Sequence, residues 1–217
     1  MKLGRSTHDE MYHPSHNLRV TSGKSLAENA VTLFTGGGNG MGRMGAGDLS
    51  AALWQERRQL ELLLFRLETQ RLHVLAGNLK WLGFTASEME SVLDRMRFEA
   101  LARSVESAAV AAEWGLPAQA TLTGLVAGAP PGAWPEVLQE HLEGLRELLQ
   151  QLGDAARANE DTLRRVNRQP AAGASGETDT AGDLDQLTTA GNIERALAVT
   201  RRTTQPQLEN YLDGTPE

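Results

Sequence analysis

The chain has no cysteine, few aromatic residues and no apolar run long enough to cross a membrane. Without cysteine among its 217 residues, disulfides, cysteine metal ligands and a cysteine nucleophile are excluded. Aromatic residues make up only 5%, so a core must come mainly from Leu, Val and Ala, which favours helices over sheets. A membrane span needs roughly 20 apolar residues, and the N-terminus lacks an apolar signal core. These absences predict a cytoplasmic protein without membrane insertion.

An excess of basic charge is also missing. The chain has 21 Lys and Arg residues against 28 Asp and Glu, which gives a net charge of −7. A nucleic-acid partner requires a concentrated basic face. Here basic and acidic residues alternate along the predicted helices, as on an ordinary solvated helical surface. The composition therefore argues against nucleic acid as a partner.

What the chain does have is a long series of apolar residues spaced three or four apart, between residues 49 and 166. This spacing places the apolar groups on one face of a helix and predicts long amphipathic helices. We expect three long helices, at residues 48–75, from 85 or 87 to about 114, and from 134 or 135 to about 168. A short helix is expected at residues 122–127, with Thr121 as its N-cap. The predicted fold is all-α: an elongated antiparallel bundle of three long helices, with a short helical insert between the second and third.

The second predicted helix is expected to turn one apolar face to the core, formed by Met89, Val92, Leu93, Met96, Leu101, Val105, Ala108 and Ala112. On either side of the helical domain, residues 48–168, the composition becomes more polar. Residues 1–47 are predicted to be a disordered, Gly-rich head and residues 169–217 an acidic, mostly disordered tail, because both bury too little apolar surface to offset ordering entropy. One weak helical segment, about 193–202, is possible in the tail.

Several patterns resemble chemical sites, but each lacks its structural context. Residues 40–45 match G-x-G-x-x-G, yet the strand and acidic residue of a dinucleotide-binding unit do not follow. His8, His13 and His16 lie in a segment with nothing to hold metal geometry. The acidic residues 136, 140, 143 and 147 follow helical steps typical of an exposed face. We therefore predict no catalytic residues, no metal site and no cofactor, and hence no enzyme.

Residues 49–168 resemble the FlgN-type export chaperones of the bacterial flagellum. The resemblance rests on residues 49–68 and 76–82, on the insert GLPAQATLTGLVA at 115–127, on the Pro–Trp segment 129–134, and on a long leucine-rich helix that ends at 158–163. It covers a little over half of the chain, and the insert is its most specific part. The head and the tail lie outside it.

The resemblance implies a cytoplasmic chaperone of flagellar type III export. Such chaperones bind the hook–filament junction proteins, prevent their premature assembly and deliver them to a component of the export gate, without enzymatic activity or a cofactor. An apolar helical face that packs on a client helix would serve this purpose.

The sequence suggests where partners would bind. The leucines of the third long helix outnumber those that one seam requires, which predicts a client-binding surface at Leu138, Leu142, Leu145, Leu148, Leu149 and Leu152. The alternative is that all of them fill the interior of the bundle. Tyr211 and Leu212 in the tail form a possible docking motif for the export gate, against the alternative of a merely solvated tail. A rival function is a structural scaffold whose leucine stripes drive self-association.

Overall fold

The computed structural model describes residues 44–168 and 180–214, and every regular element in those ranges is helical. The all-α class predicted from the sequence is therefore confirmed. The described residues all belong to one compact unit of the chain. The predicted head lies outside these ranges, except that residues 44–47 form the start of the first helix rather than a disordered segment.

Six α-helices and one 3-10 turn make up the described residues. In chain order they are α1 Met44–Leu75, the 3-10 turn Leu79–Trp81, α2 Leu82–Glu113, α3 Leu122–Gly128, α4 Trp134–Arg168, α5 Thr180–Arg201 and α6 Pro206–Asp213. The N-cap predicted for α3 is confirmed, because Thr121 Oγ1 accepts a hydrogen bond from the Gly124 amide at 3.0 Å.

The first long helix ends because Gly77 adopts a φ of 71°, a left-handed conformation that glycine reaches without steric cost. Two backbone bonds close the last turn: the Gly77 amide donates to the Val74 carbonyl at 3.0 Å, and the Asn78 amide donates to the His73 carbonyl at 2.8 Å. This pair of bonds is the Schellman arrangement of a helix C-terminus. The chain can therefore reverse within a few residues.

The second long helix begins at Leu82 and not at residue 85 or 87 as predicted. Thr85 and Ser87 had capping-box spacing, but both lie inside the helix. Thr85 Oγ1 donates to the Leu82 carbonyl at 3.2 Å instead of capping a free amide. The positive φ of Gly77 has already ended α1, so the break lies earlier than the capping pattern indicated.

Contacts between side chains give the relative directions of the long helices. Arg103 of α2 bonds to Glu56 of α1, whereas Arg66 further along α1 pairs with Glu88 earlier in α2. These two contacts show that α1 and α2 run in opposite directions. Ser50 and Gln70 of α1 meet His141 and Asn159 of α4 in the same order, so α1 and α4 run in the same direction.

The core is aliphatic, as the low aromatic content predicted. Its largest fully buried side chains are Leu49, Leu53, Leu60, Leu63, Leu67, Leu82, Met89, Leu122, Leu125, Leu138, Leu145 and Leu163. They come from all three long helices and from α3, because each helix turns its stripe of residues at three- and four-residue spacing inward. Burial of these groups is the main favourable contribution to folding.

The prediction of a mostly disordered tail is wrong for residues 180–213, which form α5 and α6. Ile193, Ala196 and Leu197 of α5 are buried at helical spacing, as are Leu208 and Leu212 of α6. The tail has few apolar residues, but they are spaced to form one face, and that face packs on the long helices. The low average hydrophobicity of the tail led to the prediction of disorder despite this pattern. The rest of the tail lies outside the described residues.

Candidate functional site

The six leucines predicted to bind a client lie on α4, and most of them belong to the interior. Leu138, Leu142, Leu145, Leu148 and Leu152 are buried, and Leu149 is partly buried against the same core cluster. In this fold they contact the protein's own helices and offer no free face to a client. The predicted position of the client surface is therefore corrected in favour of the alternative that these residues fill the core.

The possible export-gate motif is also occupied by intramolecular contacts. Leu212 is only 1% exposed, and its carbonyl accepts a hydrogen bond from Thr123 Oγ1 at 2.8 Å. The Tyr211 hydroxyl accepts one from Ser107 Oγ at 3.0 Å. Asp213, the next residue, pairs with Arg146 of α4, and this hydrogen bond lowers the pKa of Asp213. These residues fasten α6 to the long helices, which corrects their assignment as an exposed docking motif.

A buried ion pair lies beneath α6. Nη1 of Arg103 donates to both carboxylate oxygens of Glu56, at 2.5 and 2.7 Å, and the Tyr211 ring centroid lies 4.4 Å from the guanidinium carbon. Burial raises the pKa of Glu56, although the charge of Arg103 opposes this effect. Burial likewise raises the pKa of Tyr211 to about 12. The cluster joins α1, α2 and α6, and we interpret it as structural.

A serine–histidine contact between α1 and α4 is the arrangement closest to catalytic geometry. Ser50 Oγ lies 2.8 Å from Nε2 of His141, and the Trp54 ring meets the imidazole edge-on at 5.2 Å between centroids. Burial, together with the nearby Arg57 charge, lowers the pKa of His141 to about 4, so the imidazole is neutral at pH 7. Among the hydrogen bonds of the described residues, none joins His141 to a carboxylate. The third member of a triad is therefore missing, and the pair is interpreted as a buried polar contact.

The described ranges contain no group of three or more His, Asp or Glu side chains placed to hold a metal ion. In the same ranges, every helix is too short or too polar to span a lipid bilayer.

One exposed apolar surface of the described residues is a row of three large side chains on the outside of α2. Phe98, Leu101 and Val105 are 68, 65 and 66% exposed, and exposed alanines 102, 109 and 112 lie beside them. We call Phe98, Leu101 and Val105 the outer α2 stripe. Contiguous exposed apolar groups on one helix face are typical of an interaction surface rather than of scattered surface hydrophobics.

The prediction of a single apolar face on α2 is wrong for Leu101, Val105 and Ala112, which are exposed. After Met96, the buried positions continue through Glu99, Arg103 and Ser107. These polar residues occupy the face of α2 that points into the core. The search for apolar residues at helical spacing therefore selected residues on the opposite, exposed face. The sequence did contain a signal for the exposed row. The apolar residues of α2 form two series on different faces of the helix, and only one of these faces can point into the core.

Comparison of the chain with models of protein families, with curated proteins and with solved structures finds no match.

Proposed function

We propose that the chain is a chaperone of flagellar type III export that binds a helix of a hook–filament junction protein on the outer α2 stripe. One observation carries the proposal: three large apolar side chains are about two-thirds exposed on a single face of an otherwise well-packed helix. The resemblance of residues 49–168 to FlgN-type chaperones supports the choice of client. The all-helical fold also suits such a role.

The physical basis is helix-on-helix packing. Phe98 and Val105 are seven residues apart, so the stripe extends about 10 Å along α2 at 1.5 Å per residue. A client helix with apolar residues at i, i+3 and i+7 would cover it. Complete burial contributes about 1.5–3 kcal/mol for each large apolar side chain, from which the costs of association must be subtracted. The resulting binding is moderate and reversible, as delivery to an export-gate component requires.

The experiment is co-purification of the full chain with the flagellar axial proteins of its own cell. Leu101→Asp with Val105→Asp should abolish recovery of the junction proteins, because two charges would have to be buried against the client helix. The matched control is Ser104→Asp with Gln150→Asp, which adds the same charge at exposed positions outside the stripe. Equal recovery with both double variants would exclude the stripe as the client surface. Circular dichroism should remain helical in both.

We further propose that the protein acts in the cytoplasm, performs no catalysis and hands its client to a component of the export gate. Because Leu212 is buried, a contact with the gate must use other residues.

The second candidate function is a scaffold that self-associates. The outer α2 stripe also favours it, since the same face on two copies can pack about a two-fold axis. Size-exclusion chromatography with light scattering separates the two functions. A stable dimer that becomes monomeric with Leu101→Asp and Val105→Asp, and that ignores junction proteins, would support the scaffold.

A further inference from the structure

A second surface lies in a groove between α1 and α4, away from the outer α2 stripe. It encloses about 370 Å³ and is lined by Arg57, Glu61, Leu64, Phe65 and Glu68 of α1 and by Gly144, Glu147, Leu148 and Gln151 of α4. We call it the α1–α4 groove. Because α1 and α4 run in the same direction, the groove follows both helix axes and suits an elongated occupant.

Arg57 lines the groove where α1 passes Gly144 of α4. A Cβ at residue 144 would lie 2.6 Å from Nη1 of Arg57, so glycine leaves the room that the guanidinium needs against α4. Arg57 also pairs with Glu61 at 3.3 Å and lies 5.1 Å from the Trp54 ring centroid. Its charge is therefore already matched by a carboxylate. The contacts of Arg57 with Gly144, Glu61 and Trp54 therefore help to define the shape of the groove.

The α1 edge of the groove carries apolar side chains among its charged ones, and exposed apolar residues continue along α1 beyond the groove. Phe65 is 56% exposed, and Leu72 and Leu75 further along α1 are exposed as well. These positions follow steps of seven and three residues, which keep them on one side of the helix. From Phe65 to Leu75 the edge extends about 15 Å. That length matches about three turns of a partner helix.

The charge of the groove is acidic. Among the described residues that line it, three are carboxylates, Glu61, Glu68 and Glu147, and one is a cation, Arg57. Glu68 and Glu147 are exposed, and Glu147 accepts a hydrogen bond from the neutral amide of Gln151 at 3.0 Å. Carboxylates beside an exposed aromatic ring and leucines favour a ligand that combines positive charge with an apolar stripe.

We propose that the α1–α4 groove binds a cationic amphipathic helix of a partner protein, with apolar residues on Phe65 and Leu72 and Lys or Arg residues on Glu68 and Glu147. The charge complementarity selects this occupant over an acidic helix. The site goes beyond the proposed chaperone function, because it shares no residue with the outer α2 stripe and fits a partner of defined charge.

The test uses two synthetic 18-residue helical peptides as probes. Both repeat leucines at i, i+4 and i+7 on one face and carry alanine elsewhere, except at four positions beside the leucines that are lysine in one peptide and glutamate in the other. Fluorescence anisotropy with the full chain should show binding of the Leu/Lys peptide and at least tenfold weaker binding of the Leu/Glu peptide. Binding should weaken as salt rises, because exposed charges are screened over about 8–10 Å near physiological ionic strength. Equal binding of both peptides would overturn the proposal.

Matched variants locate the site. Glu68→Gln with Glu147→Gln should weaken binding of the Leu/Lys peptide about fivefold, from two exposed charge contacts. Glu113→Gln with Glu209→Gln changes the net charge equally at exposed positions elsewhere and should have little effect. If both double variants weaken binding equally, the attraction is to the net charge and the groove is not the site.

A second pair of variants tests the apolar edge. Phe65→Ala should weaken Leu/Lys peptide binding about tenfold, whereas Phe98→Ala, which removes another exposed ring from the outer α2 stripe, should leave it unchanged. Both side chains are more than half exposed, so the variants should keep the fold, as measured by circular dichroism. The reverse ranking would assign the peptide to α2. Light scattering that shows a dimer disrupted by Phe65→Ala would identify a second copy as the occupant and refute the proposal.

Discussion

Single residues decide which surfaces of this protein are free. Leu145 and Leu101 both follow the helical spacing of apolar residues, yet Leu145 is buried and Leu101 is exposed. This difference in burial is explained by the residues on the other face of each helix. On α4 the residues opposite the leucines are polar, so one face alone needs covering. On α2, Arg103 occupies an inward position, and apolar residues remain outside.

Leu145→Asp is therefore predicted to unfold the protein. A carboxylate at a fully buried position loses its hydration without gaining a partner, which costs several kcal/mol. This is a large share of the stability of a typical domain. Circular dichroism during urea titration should show loss of helix at low denaturant, whereas Leu101→Asp should unfold near the wild-type midpoint. Equal stability of the two variants would contradict the packing of α4.

The buried ion pair makes a second residue-scale prediction. Arg103→Leu leaves the Glu56 carboxylate buried without its partner and should lower the free energy of unfolding by about 3–5 kcal/mol. The double variant Glu56→Leu with Arg103→Leu should recover most of this loss, because no charge then remains in the interior. Urea unfolding of the two single variants and the double variant measures the coupling. A double variant no more stable than Arg103→Leu would show that the pair itself is required for folding.

The buried histidine predicts a pH dependence of stability. His141 has an ordinary pKa of 6.5 and a folded pKa of about 4, so the unfolded chain binds the proton more readily. Its contribution is complete above pH 6.5 and decreases as the pH falls toward 4, by up to about 3 kcal/mol. In His141→Gln, which keeps a hydrogen-bonding group beside Ser50, the loss between pH 7 and pH 5 should be smaller. Identical pH profiles in urea titrations would refute this role.

At the scale of the helices, the sequence predicted the three long elements and the Thr121 cap, because periodicity and capping are local properties. The start of α2 was misplaced, since a positive φ at Gly77 outweighed the capping pattern at Thr85. In the tail the sequence indicated only a weak helical segment at about 193–202, which lies almost entirely within α5. The rest of α5 and all of α6 were missed because their stability depends on contacts with α2, α3 and α4, which no local pattern reports. The client surface was misplaced for a similar reason: periodicity shows that a stripe exists, but only packing shows which stripe is already covered.

The smallest tail helix gives an element-scale prediction. Leu208 and Leu212 of α6 are buried, so Leu208→Asp with Leu212→Asp should detach this helix. Limited proteolysis should then cut the variant near residue 203, whereas the wild-type protein should resist cleavage there. The control is Glu209→Asp, an exposed substitution on the same helix. Equal cleavage of wild type and the double variant would mean that α6 is not held by its leucines.

At the scale of the whole molecule, a buried polar network joins four helices. Asn159 Nδ2 donates to Gln70 Oε1 at 2.7 Å and lies 3.4 Å from Thr200 Oγ1, and Gln70 in turn donates to Thr85 Oγ1 at 3.1 Å. These side chains belong to α4, α1, α5 and α2, in that order. Polar groups buried in an aliphatic core are costly when they lose a partner. The network therefore makes the position of α5 dependent on the three long helices.

Asn159→Ala is predicted to loosen α5 before the rest of the protein. The substitution leaves Gln70 Oε1 with only the weaker bond from Thr200, at 3.3 Å, and should cost about 1–3 kcal/mol. Hydrogen exchange should increase first in residues 187–201, while the buried turns of α1 and α4 keep their protection. Asn210→Ala, at an exposed position of α6, controls for the loss of an asparagine. A uniform increase across all helices would indicate instead that the described residues unfold as one cooperative unit and that α5 has no stability of its own to lose.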